Sequence, residues 1–248
     1  IDSLIDNMTI DEKIGQLFMI RAFSHNDAKN ISLLKSQIKK YNPGGICFFQ
    51  GSPQKQAELT NIYQDMSSIP LLISIDGEWG LGMRFKQDAI SFPKQLTLGA
   101  MDDHNLIYDM GREIARQMKR IGIHVNFAPV VDVNNNASNP VINIRSLGED
   151  KDNVASKAYA YMKGMQDGGL ATCLKHFPGH GDTDVDSHYD LPIINHNRSR
   201  LDSIELSPFK TLIKKGADGV MVAHLQVNAI DDRENRPTSL SKYVIEDL

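Results

Sequence analysis

Six short apolar runs recur along the chain between longer stretches of helical period: GQLFMIRA, GGICFFQ, PLLISID, IHVNFAPVVDV, LATCLKHF and GVMVAHLQV. None of them alternates apolar with polar residues, as a strand with one solvated face would. Strands buried on both faces and separated by amphipathic helices are what a parallel sheet covered on both sides requires. Helical period is read over DEKIGQL, which overlaps the first run, over 27–41, over 53–66 with Ser52 as N-cap and Pro53 in the first turn, and over 104–121 up to Gly122. It returns over 153–166, ended by Gly168-Gly169, and over 200–215, ended by Gly216. SLSKYVIEDL reads as a last helix start with Asp247 inside it. The fold class is therefore α/β, with six β-to-α units. A doubly wound open sheet is content with six, whereas a TIM-type (β/α)8 barrel needs eight. Two features favour the barrel, of which this chain then holds about six of the eight units. No GxGxxG or GxxxxGK[ST] follows the first run, and polar residues gather where nearly every run ends. These are Arg21, Gln50, Asp76 with Glu78, Asp132, Lys175 with His176, and His224. Polar groups at one end of many parallel strands describe the mouth of a barrel.

Charge and composition remove whole classes of partner. With 27 basic against 31 acidic residues the net charge is −4, and no basic run exceeds the two lysines at Lys39-Lys40 and Lys214-Lys215. Neither nucleic acid nor an anionic membrane has an electrostatic footprint here. No apolar run approaches the roughly 18 residues of a membrane span. Cys47 and Cys173 each sit in an apolar stretch and are expected to be reduced core thiols, which leaves the compartment open. The chain begins at Ile1 without a signal pattern and so reads as a trimmed product.

Two long polar insertions follow strands: NNNASNPVINIRSLGED and PGHGDTDVDSHYDLPIINHNRS. Loops of that length are uncommon in compact domains unless they carry function. The densest chemistry is in Lys175–Pro192, with three of the eight histidines and four aspartates. Three readings stand. His176, His180, Asp182, Asp186 and His188 could ligate a metal, though no helical register of the HExxH kind fixes them. The loop could be solvated, with incidental histidines. Or His188 could act as acid and base with Asp186 two residues before it, the carboxylate fixing the imidazole tautomer. Gly179 and Gly181 would let such a loop close over a substrate. For Asp76 the plain alternative is a strand-end cap, and for Arg145 a surface ion pair with Glu149 or Asp150. His224 faces either the mouth or the packing layer.

The run KHFPGHGDTDVDSH resembles the signature loop of glycoside hydrolase family 3, in its bacterial β-N-acetylglucosaminidase branch. MTIDEKIGQLFMI, NPGGICFF, ISIDGEWG followed by MR, FAPVVDVN, RSLGED, and GVMVAHLQV followed by RPTSLS match in the same order. The resemblance covers essentially the whole chain. It implies that Asp76 binds sugar hydroxyls and that Arg145, Lys175 and His176 hold the remaining ones. Arg84, in the MR that follows DGEWG, and the strand-end His224 join them as substrate-binding candidates. Asp186 and His188 match the Asp-His dyad that this branch uses in place of a glutamate acid. No metal or cofactor is implied.

Two departures matter. Many relatives read DQEGG where this chain has DGEWG, so Trp79 adds an aromatic face that packs on the loop or stacks on sugar. The family nucleophile, an aspartate ending a seventh strand, is not within residues 1–248, so the chain reads as a barrel domain incomplete at its C-terminus. A further C-terminal domain is allowed, and the segment is expected to fold within a longer protein. The implied activity is that of a retaining exo-β-N-acetylglucosaminidase acting on peptidoglycan fragments or related amino-sugar oligosaccharides. A phosphorylase and a catalytically silent sugar-binding domain are the alternatives.

Overall fold

The structure, a computed structural model, describes residues 2–25, 27–186 and 190–248. It divides into two compact bodies, one of the residues up to Ser91 with Arg116–Asn126, the other of Phe92–Ala115 with Phe127–Leu248.

The first body holds four strands that pair in parallel in chain order: β1 (Met19–Ser24), β2 (Gly45–Gly51), β3 (Leu72–Ile75) and β4 (Val125–Asn126). Ile46 and Phe48 of β2 and Ile73 and Ile75 of β3 are fully buried. Each such side chain contributes about 1.5–3 kcal/mol through burial. Helices Ala28–Tyr41 and Pro53–Met66 connect the strands. Asp27 caps the first, and Ser52 caps the second by accepting from Lys55 N–H, with Pro53 in its first turn as expected. The first strand starts later than the sequence pattern suggests. Thr9 and Glu12 form a capping box that starts helix Ile10–Gln16, and this helix takes the Gly15-Gln16 pair from the apolar run.

The second body holds β5 (Ala171–Phe177) paired in parallel with β7 (Gly219–Val222). A small parallel pair, β6 (Ile193–Ile194) with β8 (Gln226–Val227), was not evident in the sequence. Helix Lys151–Asp167, capped by Asp150, buries Val154, Ala158, Tyr161, Met162 and Met165. A further core gathers Ile194, Leu201, Leu206, Ala223, Leu225 and Val227. Both cysteines are buried thiols, as expected.

Four expectations need correction. The run at 200–215 is two helices, Arg198–Ser203 and Ser207–Lys214, because Pro208 has no N–H to give the Ile204 carbonyl. The fourth apolar run forms regular ladder only at Val125–Asn126. Beyond it Pro129 lacks a donor, and the Gln95 side chain takes over both the N–H (3.0 Å) and the carbonyl (2.8 Å) of Val130. The sixth run breaks after Val222, where Thr238 Oγ1 donates to Ala223 O (2.6 Å) and accepts from Leu225 N (3.2 Å). Asp247 follows the last helix, Lys242–Ile245, rather than lying inside it.

Candidate active site

In the first body, Asp76 sits directly after β3. The backbone beyond it is fixed by Asn126, whose side chain accepts from Gly77 N (3.0 Å) and donates to Gly77 O (3.1 Å), a side-chain copy of a ladder pair. Arg84 follows the turn Leu81–Met83 and reaches back. Its Nη2 donates to Asp76 Oδ2 at 2.8 Å and its Nε to Asp76 O at 2.7 Å, while the guanidinium lies 4.8 Å from the Phe49 ring centre. A half-buried, doubly bonded arginine of this kind fixes the carboxylate's direction as well as its charge.

In the second body the organising residue is Asp132, fully buried after the VV of FAPVVDVN. Both its oxygens accept from His176 N (3.1 Å each), Oδ2 also faces His176 Nδ1 (2.7 Å), and Oδ1 accepts from His180 N (2.7 Å). Burial by itself raises this carboxyl, but the adjoining His176 imidazole and the hydrogen bonds from it and from the His180 N–H hold it below the ordinary carboxylate range. His176 occupies a bulge: Lys175 faces Met221 and Phe177 faces Val222, so His176 has no opposite number on β7. A bulge re-aims the side chain it carries, here out of the ladder. The outer nitrogen, Nε2, lies 3.3 Å from Arg145 Nη2, and Arg145 Nη1 donates to Val141 O at 3.1 Å. Arg145, from the turn Asn143–Arg145, is thereby brought to His176. Lys175 is buried beside it, its carbonyl accepting from Val131 N at 2.8 Å.

The loop after β5 is packed at its base. Gly179 has φ of +127°, and a Cβ on Gly181 would lie 1.8 Å from Val133 O, so both positions need glycine for backbone conformation and contact. Burial pushes the His180 imidazole below its ordinary value, the Asp132 charge only partly opposing it, and its Nδ1 bonds with Thr183 Oγ1 at 2.7 Å. Asp186 is half-buried, and His188 lies outside the described residues. His224 is exposed and bonds Ser239 Oγ at 2.7 Å, so it is no core histidine.

Of the metal set drawn from the sequence, the His176 ring faces Asp132 and Arg145, the His180 Nδ1 faces Thr183, and His188 lies outside the described residues. Among the described residues Asp182, His196 and Glu205 do place ligand atoms within 4.8 Å of one another. Arg200 Nη2 lies 3.2 Å from Glu205 and 3.7 Å from Asp182, so the positive charge a cation would bring is already supplied. With His196 Nε2 at 2.5 Å from Asp182, this group is an ion-pair network that ties the loop base to helix Arg198–Ser203. Asp132 was visible in the sequence as a strand-end acid but received no role. Asn126 gave no signal, because its partner Gly77 is remote in sequence.

Apolar parallel strands whose ends deliver charged and polar groups define an α/β protein of the TIM-type barrel class, with six of its β/α units in this chain. Residues 9–248 match the Glycosyl hydrolase family 3 N terminal domain, and the chain belongs to that family. It is 38% identical over 212 residues to Beta-hexosaminidase A of Pseudoalteromonas piscicida, covering 80% of this chain and 36% of that protein. It is 32% identical over 237 residues to Beta-hexosaminidase LpqI of Mycobacterium tuberculosis, covering 94% of this chain and 59% of that one. The solved glycoside hydrolase family 3 β-N-acetylglucosaminidase from Paenibacillus sp. str. FPU-7 superposes with a TM-score of 0.89 at 38% identity. That match covers 96% of this chain and 46% of the other. The chain therefore spans about a third to three fifths of the length of these curated relatives.

Proposed function

We propose that the protein is a retaining exo-β-N-acetylglucosaminidase that releases terminal N-acetylglucosamine from peptidoglycan fragments or related amino-sugar oligosaccharides. The observation that carries this reading is the Arg145–His176–Asp132 chain. A guanidinium and an imidazole are held by a buried carboxylate, in a chain similar to proteins that bear hexosaminidase names. In this reading Arg145, Lys175 and His176 hold sugar hydroxyls. Asp76, oriented by Arg84, holds others, and His224 contributes from the end of its strand. His188, paired with Asp186, protonates the leaving oxygen and then takes a proton from water, which releases the sugar from its covalent ester. In the family pattern the attacking group is an aspartate that ends a seventh strand. The rule that relates carboxylate separation to stereochemistry does not transfer, since the proton donor is an imidazole.

The test is turnover of an aryl β-N-acetylglucosaminide against the matching β-glucoside, with product analysis in phosphate buffer. Free N-acetylglucosamine of retained configuration is expected. A sugar 1-phosphate would make the protein a phosphorylase, and binding without turnover would leave a sugar-binding domain.

A further inference from the structure

His176 is constrained from both sides by groups that have no choice of role. The Asp132 carboxylate, held ionised, can only accept, so the His176 nitrogen 2.7 Å away, Nδ1, carries the hydrogen. The Arg145 guanidinium can only donate, so the nitrogen 3.3 Å from its Nη2, Nε2, offers a lone pair. The two constraints are independent and select one form, the neutral ring protonated at Nδ1. A doubly protonated ring would set an N–H against an N–H and a positive charge against a positive charge at the Arg145 end. The same carboxylate also accepts the His180 backbone N–H, the first ordered step of the loop that leads to Asp186. Asp132 is fully buried and out of reach of any sugar.

We propose that Asp132 is a positioning residue for the amino-sugar site: it fixes the tautomer of His176, through it the direction of Arg145, and through His180 the base of the 179–186 loop. One carboxylate thereby sets two arms, one that holds hydroxyls and one that leads to the acid/base pair. This rests on the reading that Arg145 and His176 bind sugar. The tautomer itself does not, and it can be measured without sugar present. The carboxylate-to-imidazole-to-guanidinium order matters because Arg145 Nη2 meets a nitrogen that accepts only in this tautomer, while its Nη1 donates to Val141 O.

The experiment is a two-bond proton–nitrogen correlation on the full chain labelled with ¹⁵N-histidine at neutral pH, His176 being assigned by its loss in His176→Gln. The expected His176 pattern has a protonated Nδ1 and an unprotonated Nε2. An Nε2-protonated or doubly protonated ring overturns the proposal, and this outcome needs no variant to fold. In Asp132→Asn the carboxamide can turn its NH2 toward Nδ1, so the pattern is expected to reverse and affinity for N-acetylglucosamine to fall about tenfold or more, the size of one charge-assisted hydrogen bond. Arg145→Lys is expected to shift the Nε2 resonance and leave Nδ1 protonated. A reversed tautomer in Arg145→Lys would show that Arg145 sets the ring and would overturn the proposal. So would reversal in Asp132→Asn with sugar affinity unchanged. Failure of the unaltered protein to bind any amino sugar, with the tautomer as stated, would instead count against the functional reading.

Discussion

Arg84 grips Asp76 twice, through the side-chain carboxylate at 2.8 Å and the backbone carbonyl at 2.7 Å, across eight residues of chain. The pair makes a rigid acceptor of a group that would otherwise rotate about two side-chain bonds. Asp76→Ala is expected to weaken amino-sugar binding about tenfold or more, while Tm moves by no more than about 2–4 °C, the equivalent of roughly 1 kcal/mol in a chain of this length. Arg84→Lys keeps the charge and loses the fork, so it should fall between Asp76→Ala and the unaltered protein. Calorimetric titration with N-acetylglucosamine and a thermal melt check both. A large fall in Tm with affinity preserved would assign Asp76 a purely structural role.

His188→Ala is expected to lower kcat/KM by about 10²–10⁴ on substrates with poor leaving groups and by much less on activated aryl glycosides, which need little protonation. Asp186→Asn should act in the same direction more mildly and displace the pH profile, because the ring loses the carboxylate that sets its tautomer. Equal losses on both classes of substrate would remove His188 from the acid role.

Stability is expected to decline with acid in two stages. His180 is buried with its folded value below the ordinary imidazole value of about 6.5, so below that pH the unfolded chain binds a proton that the native one refuses. The Asp132 carboxyl also lies below its ordinary value, so its contribution is present above about pH 4 and is lost as pH falls further. Melts between pH 7 and 3 should show a shallow slope from about 6.5 and a steeper one below about 4. His180→Gln should flatten the first and leave the second; an unchanged upper slope would mean that His180 is not the group responsible.

Gly181→Ala places a Cβ 1.8 Å from Val133 O, a contact with backbone that no rotamer relieves. A loss of about 1–3 kcal/mol is expected, the range for overpacking a tight site, together with reduced turnover, since the 179–186 loop must move off Val133. Denaturant titration and the aryl glycoside assay read the two effects. Unaltered stability would show that the loop base is free to shift.

Much of this protein follows from local chemistry. Uninterrupted apolar runs between helical stretches specify parallel strands because period and burial are properties of neighbouring residues. Ser52-Pro53 starts a helix because a cap and its first turn lie side by side in the chain. Pro129 and Pro208 carry local signals too: a missing N–H ends ladder and helix alike. Tertiary structure decided what depends on remote partners. Gln95 reaches Val130, Asn126 reaches Gly77 and Thr238 reaches Leu225, each substituting a side chain for backbone pairing across 35, 49 and 13 residues. Above all, the sequence places Asp132, Arg145 and His176 in three separate motifs, and only folding joins them. The alignment of a buried acceptor with one nitrogen of a ring, and of a donor with the other, is a matter of ångströms set by packing, and no residue pattern encodes it.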